Sequence, residues 1–209
     1  MIYKELDAFS GDDKFARAGR AAEEKMAFYL KRFFAADPEL LVLNGIRLEH
    51  ADDAAQVDHL IIHPYGLVIV ESKSVHGKIQ IKDDGQWIRW FNGNQSKGIA
   101  SPLTQARMQA QFFRECLGIA SKQPAIFRDI PIDILVAISD DGVIVWPKSG
   151  PVDGVCKADQ IPEKITALCA ERAKSGGVSL SAINREKIAE FLKIKNTPLY
   201  PVATSAVEA

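Results

Sequence analysis

Three cysteines in 209 residues, Cys116, Cys156 and Cys169, are too few and too scattered for a disulfide framework or a zinc ribbon. They read as reduced, small apolar residues. No run approaches the roughly 18–20 apolar residues of a membrane span. The opening Met1-Ile2-Tyr3-Lys4-Glu5 leads into polar sequence rather than a signal core, so a cytoplasmic protein is expected. No glycine-rich phosphate cradle is present, which argues against a nucleoside-triphosphate enzyme. No HxH or HExxH pattern offers a zinc site. Repeats and low-complexity blocks are also missing. Net charge is only −1, with 26 Lys and Arg against 27 Asp and Glu, so the overall balance does not by itself argue nucleic-acid binding and leaves room for a local basic strip.

What remains is an ordinary globular composition, 47% apolar and 25% charged, at a length that suits one domain. The expected division is a domain over residues 1–195 and a disordered tail over 196–209. The most informative stretch runs from Gln56 to Lys73. Leu60-Ile61-Ile62 and Leu67-Val68-Ile69-Val70 are β-rich runs joined by His63-Pro64-Tyr65-Gly66, which reads as a hairpin. Each strand carries charge where a buried strand has none. Alternation places Leu67, Ile69, Glu71 and Lys73 on one face and Val68, Val70 and Ser72 on the other. Asp58 on the neighbouring strand reaches the same spot as Glu71. Two carboxylates and an ammonium meeting at a sheet end suit a divalent-metal phosphodiesterase.

The flanking chain supplies further elements. Residues 1–11 read as a frayed lead-in. Asp12 or Asp13 caps a helix to about Ala36, with Phe15, Ala22, Met26, Tyr29, Leu30 and Phe33 as its apolar positions. Glu23 lies on or beside that stripe, whereas Glu24 is turned roughly 100° away. A carboxylate there is paired with Lys or Arg, or bound to a cation. Leu40–Leu48 reads as a strand with a bulge or bend at Asn44-Gly45, and Glu49–Ala55 as a polar turn. Gly77–Lys82 and Gln86–Phe91 pair across Asp83-Asp84-Gly85, with a further turn at Asn92-Gly93-Asn94. Ser101-Pro102 opens a helix to about Leu117, with Gln105 near its positive end. Gly118–Phe127 is a connection. Ile132–Ile138 is a buried strand, Asp140-Asp141-Gly142 a hairpin turn, Val143–Trp146 its return strand and Pro147–Gly154 a loop. Gln160–Ala173 and Ser181–Ile194 read as helices. This order argues an α/β or α+β fold with a mixed central sheet flanked by helices.

Glu23 on a helix, QVDHLIIHPYG around Asp58, GLVIVESKS around Glu71-Ser72-Lys73, and Pro102-Leu103-Thr104-Gln105 occur in an order that resembles the nuclease-related domain. That family is a branch of the PD-(D/E)xK restriction-endonuclease-like superfamily. The resemblance covers about residues 16–118. Ala22 stands where the family usually has Gly. The resemblance implies a restriction-endonuclease-like core and a metal-dependent nuclease site. It also implies partnership with helicases or other DNA-processing modules, to which such domains are often joined.

On this reading Mg2+, or Mn2+, is held by Asp58 and Glu71, with the Ser72 carbonyl as a third ligand and Glu23 binding a second ion or a water. Lys73 orients or helps deprotonate the attacking water and stabilises developing charge, and Gln105 positions the phosphate or the Lys73 amine. The substrate is nucleic acid, most readily DNA. Lys78, Lys82, Arg89, Lys97 and Arg107 form a basic strip that serves either as a phosphate track beside the site or as a solvated face. His59 points to the opposite face of its strand and reads as structural. His63 and His76 fall in turns where either can touch nucleic acid. The rival readings are a salt-bridged sheet edge, an inactive nucleic-acid-binding module, and an interaction domain that reuses the fold.

Overall fold

The computed structural model describes residues 1–91, 95–120, 124–176 and 179–199, with backbone alone at 124–126. The expected turn at Asn92-Gly93-Asn94 and the tail beyond Leu199 lie outside the described residues. The elements in chain order are β1 (Ile2–Lys4), α1 (Lys14–Phe34), β2 (Leu41–His50), β3 (Asp53–His63), β4 (Gly66–Lys73), β5 (Gly77–Ile81), β6 (Trp87–Trp90) and β7 (Ser96–Ile99). There follow α2 (Pro102–Ala120), α3 (Pro124–Asp129), β8 (Ile132–Ile138), β9 (Gly142–Val145), β10 (Val155–Lys157), α4 (Ile161–Lys174) and α5 (Ala182–Lys195).

A six-stranded mixed sheet, ordered β1-β2-β3-β4-β8-β10, forms the centre. Antiparallel pairing joins β2, β3 and β4, while β1, β8 and β10 pair in parallel with their neighbours. One face of β3 and β4, with Leu60, Ile62, Leu67 and Ile69, packs against Ala106, Ala110 and Phe113 of α2 and Ile188, Ala189 and Leu192 of α5. The other face, with Ile61, Val68 and Val70, packs against Met26, Leu30 and Phe34 of α1 and Ile161 and Ile165 of α4. Covering both faces explains the near-continuous apolar runs in β3, β4 and β8. A four-stranded sheet, ordered β7-β6-β5-β9, closes a third core around Ile79, Trp87, Val136 and Ile138.

Several expectations are corrected. Residues 2–4 are not frayed: β1 pairs in parallel with β2, and the Lys4 ammonium donates to the carbonyls of Asn44 (2.9 Å) and Gly45 (3.2 Å). The polar turn at Glu49–Ala55 is a hairpin whose pairing extends to His50 opposite Asp53. Its tight turn puts Ala51 at φ 52°, a conformation that glycine usually announces. Asn44-Gly45 is a bend without an extra residue, because the pairing offset is the same on both sides of Gly45. The apolar stripe of α1 is Met26, Leu30 and Phe34. Phe15 and Phe33 are exposed, at 79% and 55%. Helix α3 occupies part of the stretch read as a connection.

The largest misreading lies after β8. Asp140-Asp141-Gly142 does not return the chain onto β8. Instead β9 pairs in parallel with β5 in the second sheet. The pairs β4–β8 and β5–β9 are both parallel, so two adjacent chain segments cross together from one sheet to the other. A Cβ at residue 142 would come within 2.9 Å of Val75, so the glycine serves this close crossing rather than a hairpin. Beyond the expected tail boundary, Thr197 N–H donates to the Arg47 carbonyl (2.9 Å) and Arg47 N–H to Asn196 Oδ1 (2.9 Å). Residues 196–197 therefore lie along the open edge of β2.

Candidate active site

Asp58 sits in β3, one residue before the point where His59 pairs with Val70 of β4. Glu71 follows Val70. The sheet register thus brings the two carboxylates together, and side-chain alternation turns both away from α1 and toward α2. With Gln105, in the first turns of α2, they border a cleft of about 550 Å³.

Glu71 is buried, with 3% of its surface exposed. Its Oε1 accepts from the Lys73 ammonium at 2.6 Å, and its Oε2 has no hydrogen-bond partner among the described residues. Lys73 also donates to Gln105 Oε1 at 3.2 Å, so the ammonium bridges the end of β4 and the start of α2. Asp58 Oδ2 accepts the Ser72 backbone N–H at 2.7 Å. Burial pushes the Asp58 carboxyl well above the usual carboxylate range. The charges of Glu71 and then Glu23 push the same way, against the Ser72 N–H and Lys73.

Helical phase turns Glu23 inward and leaves Glu24 exposed. Glu23 lies 3.7 Å from Arg20. Burial raises its pKa, Arg20 opposes this, and Glu71 and then Glu24 add to it, so the helix carboxylate feels the charge of Glu71 on β4. Glu24 takes Arg20 Nε at 2.9 Å. Glu23 borders a second cavity of about 230 Å³, shared with Arg20, Gly45 and Gln56.

Among the described residues, no three His, Cys, Asp or Glu side chains are gathered into a ready-made metal cage. The donor set nonetheless fits a hard divalent cation. Burial and the charge of Glu71 raise the pKa of both Asp58 and Glu23, and one buried Glu71 oxygen is unpartnered among the described residues; this group lacks the positive charge that Mg2+ or Mn2+ brings, and such ions favour oxygen ligands.

A family model described as the nuclease-related domain matches residues 18–145. The chain belongs to the nuclease-related domain family. In this nuclease-related domain the match runs from α1 ahead of Glu23 to the end of β9, further than the motifs alone reach. The mixed sheet with helices on both faces is consistent with the PD-(D/E)xK superfamily. No curated protein and no solved structure matches the chain.

The basic strip is not brought together. Arg89 stands between Ile79 and Lys97 in the second sheet, whereas Lys78 pairs with Trp90 and so lies on the opposite face. Lys82 follows β5, and Arg107 is exposed on α2. None of the five borders the Asp58–Glu71–Gln105 cleft. His76 is exposed after β4, whereas His63 is fully buried. Burial pushes the His63 imidazole down to about 4.

Ser139 and the partners of His59 escaped sequence reasoning, although His59 itself is read there as structural. Ser139 fixes the backbone of Lys73: its N–H and Oγ donate to the Lys73 carbonyl at 3.1 and 3.0 Å. In turn Lys157 donates to the carbonyls of Ser139 (2.8 Å), Asp140 and Gly142. On the far side of the sheet, His59 bonds Asn44 and Ser72. The His59 network had one signal, a polar residue recurring in register on facing strands. Ser139 had none.

Proposed function

We propose that this nuclease-related domain hydrolyses phosphodiester bonds in nucleic acid, with DNA as the substrate and Mg2+ or Mn2+ as the cofactor. The observation that carries the reading is Glu71, buried with one oxygen on Lys73 and the other unpartnered, beside an Asp58 that resists ionisation. A structural ion pair has no need of the extra carboxylate, because an unpaired buried acceptor costs about 1–3 kcal/mol.

In this reading Asp58 and Glu71 hold the cation, with the Ser72 carbonyl and Glu23 as further oxygen donors. When bound, the ion supplies positive charge against the phosphate and makes water more acidic. Lys73 donates toward the attacked phosphate and holds the water on its line of approach. Its reach is limited by the bonds to Glu71 and Gln105. Gln105 keeps the Lys73 ammonium at the mouth of the cleft, where the phosphate enters.

The test is cleavage of labelled single- and double-stranded DNA and RNA in Mg2+, Mn2+ or EDTA. Metal-dependent cutting that Glu71→Ala and Lys73→Ala remove, with circular dichroism unchanged, is the expected result. Binding without cutting in any metal would turn the domain into a nucleic-acid-binding module. Neither binding nor cutting would turn it into an interaction domain.

A further inference from the structure

The cleft beside Asp58 and Glu71 is longer than the reactive groups require. Along α2 it is bordered by Gln105, Met108, Gln109 and Phe112, spaced three, four and seven residues from the first. That spacing is one helix stripe, distinct from the Leu103, Ala106, Ala110 and Phe113 stripe that packs on the sheet. Seven residues of helix extend the wall roughly 10 Å from the Lys73 end. The facing wall is β3 from Asp53 to Gln56, and Leu199 closes the rim.

This wall is chemically unlike a phosphate track. Among the described residues it carries no Lys or Arg, and its charged residues, Asp53, Asp58 and Glu71, are all acidic. A phosphate placed along it would be repelled. What it offers is an apolar face from Met108 and Phe112 and the amides of Gln56 and Gln109. Met108 is 70% exposed, so its thioether side chain is open to a ligand in the cleft. Gln109 borders the cleft, and its Oε1 is buried without a hydrogen-bond partner among the described residues, an acceptor that a small turn of the side chain would present to a ligand. Flat apolar contact combined with amide donors and acceptors is how proteins hold a nucleobase: stacking on the face, hydrogen bonds to the edge.

We infer that the cleft between α2 and the start of β3 is a base-binding subsite. It takes one unstacked nucleobase of the nucleotide next to the phosphate held at Lys73. The inference rests on the hydrolytic reading above and narrows its substrate class. A base inside a duplex is stacked and paired and cannot enter without leaving the helix, whereas a single strand offers it at little cost. The domain therefore cuts single-stranded or frayed nucleic acid in preference to intact duplex. Gln109 and Met108 are the specificity-determining residues, Gln109 at the base edge and Met108 at its face.

The experiment places one abasic residue at successive positions around the cut in a labelled single strand. Wild type, Met108→Ser and Gln109→Ala are compared with Mg2+ present. The subsite predicts a single position, flanking the cut, where loss of the base slows wild-type cleavage roughly 5- to 150-fold, the range that one stacked base spans. Met108→Ser slows cleavage of the intact strand and removes most of the sensitivity to the abasic residue. A flat abasic profile overturns the inference, as does a Met108→Ser profile identical to wild type. If the wild type cuts nothing, the hydrolytic reading falls, and the subsite is judged separately. Fluorescence anisotropy then compares intact and abasic strands with Ca2+ in place of Mg2+. Tighter binding of the intact strand that Met108→Ser abolishes sustains it. Equal affinities, or no binding of either strand, overturn it.

Discussion

Asp58 and His59 are consecutive in β3, Glu71 and Ser72 in β4, and the strand alternation sends each pair to opposite faces of the sheet. The face toward α1 is satisfied. Asn44 Nδ2 donates to the Lys4 carbonyl (3.1 Å), which leaves Asn44 Oδ1 to accept from His59 Nδ1 at 2.8 Å. That fixes the tautomer, and His59 Nε2 accepts from the Ser72 hydroxyl at 3.2 Å. Burial, then the charge of Arg20, holds this imidazole neutral, with its pKa pushed down to about 3. The face toward α2 is the reverse: carboxylates crowd, one buried oxygen is unpartnered, and Asp58 resists ionisation. The same two strands thus hold a completed polar network and an incomplete one, back to back. The completed side contributes rigidity, and the incomplete side is where a ligand's charge is missing. The Ser72 residue links them, its hydroxyl on the satisfied side and its N–H on Asp58.

The largest expected effect comes from the incomplete face. Glu71→Ala should lower cleavage roughly 10³-fold or more while the protein stays folded, as loss of a group central to a catalytic set does. A comparable loss of folding instead would place Glu71 on the structural side of the comparison.

Next is the completed face. His59→Leu leaves Asn44 Oδ1 and the Ser72 hydroxyl without their partner, at about 1–3 kcal/mol each. Chemical unfolding should report that deficit. The network also sets a pH dependence. Because the folded-state pKa of His59 lies below the ordinary value of 6.5, the folded state binds fewer protons than the unfolded state below that pH. Stability should therefore be full above about pH 6.5 and fall as the pH drops toward 3. His63, held to about 4, adds to the same slope. In His59→Leu the slope should be shallower.

A smaller effect of opposite sign is expected for Asp58→Asn without metal. The Asp58 pKa is raised in the fold, so its ionisation costs stability as the pH rises above the ordinary carboxylate value. Removing that charge should raise the melting temperature at neutral pH, by about 2–4 °C for each kcal/mol relieved. The gain should shrink as the pH falls through the ordinary carboxylate value of 3.8 and vanish below about pH 3, where both states are protonated. An Asp58→Asn protein less stable than wild type at pH 7.5 would show that the carboxylate is already compensated. The smallest change should come from Phe15→Ser, within about 0.5 kcal/mol, since that ring is 79% exposed.

The centre of the fold was legible because it rests on local pattern. The β3–β4 hairpin, the Asp13 and Ser101 caps and the inward phase of Glu23 all follow from spacing and turn chemistry. What escaped depends on partners distant in sequence. The β1 strand is defined by its pairing with β2, and β9 by a parallel partner sixty-five residues earlier, Gly77 opposite Gly142. The Ala51 turn lacks the glycine that signals one. At the site, charge within apolar strands pointed to Asp58, Glu71 and Lys73. The basic residues near them in sequence were misleading as a strip, because alternation divides Lys78 from Arg89 and Lys97.

The direct test of the account is calorimetric titration of the folded protein with Mn2+ at pH 7.5, for wild type and Glu71→Gln. Saturable binding to the wild type that Glu71→Gln removes, with the fold unchanged, is the predicted result. Wild-type protein that binds no Mn2+, or a Glu71→Gln variant that binds it as well as wild type, would contradict the claim that the incomplete face is a cation site.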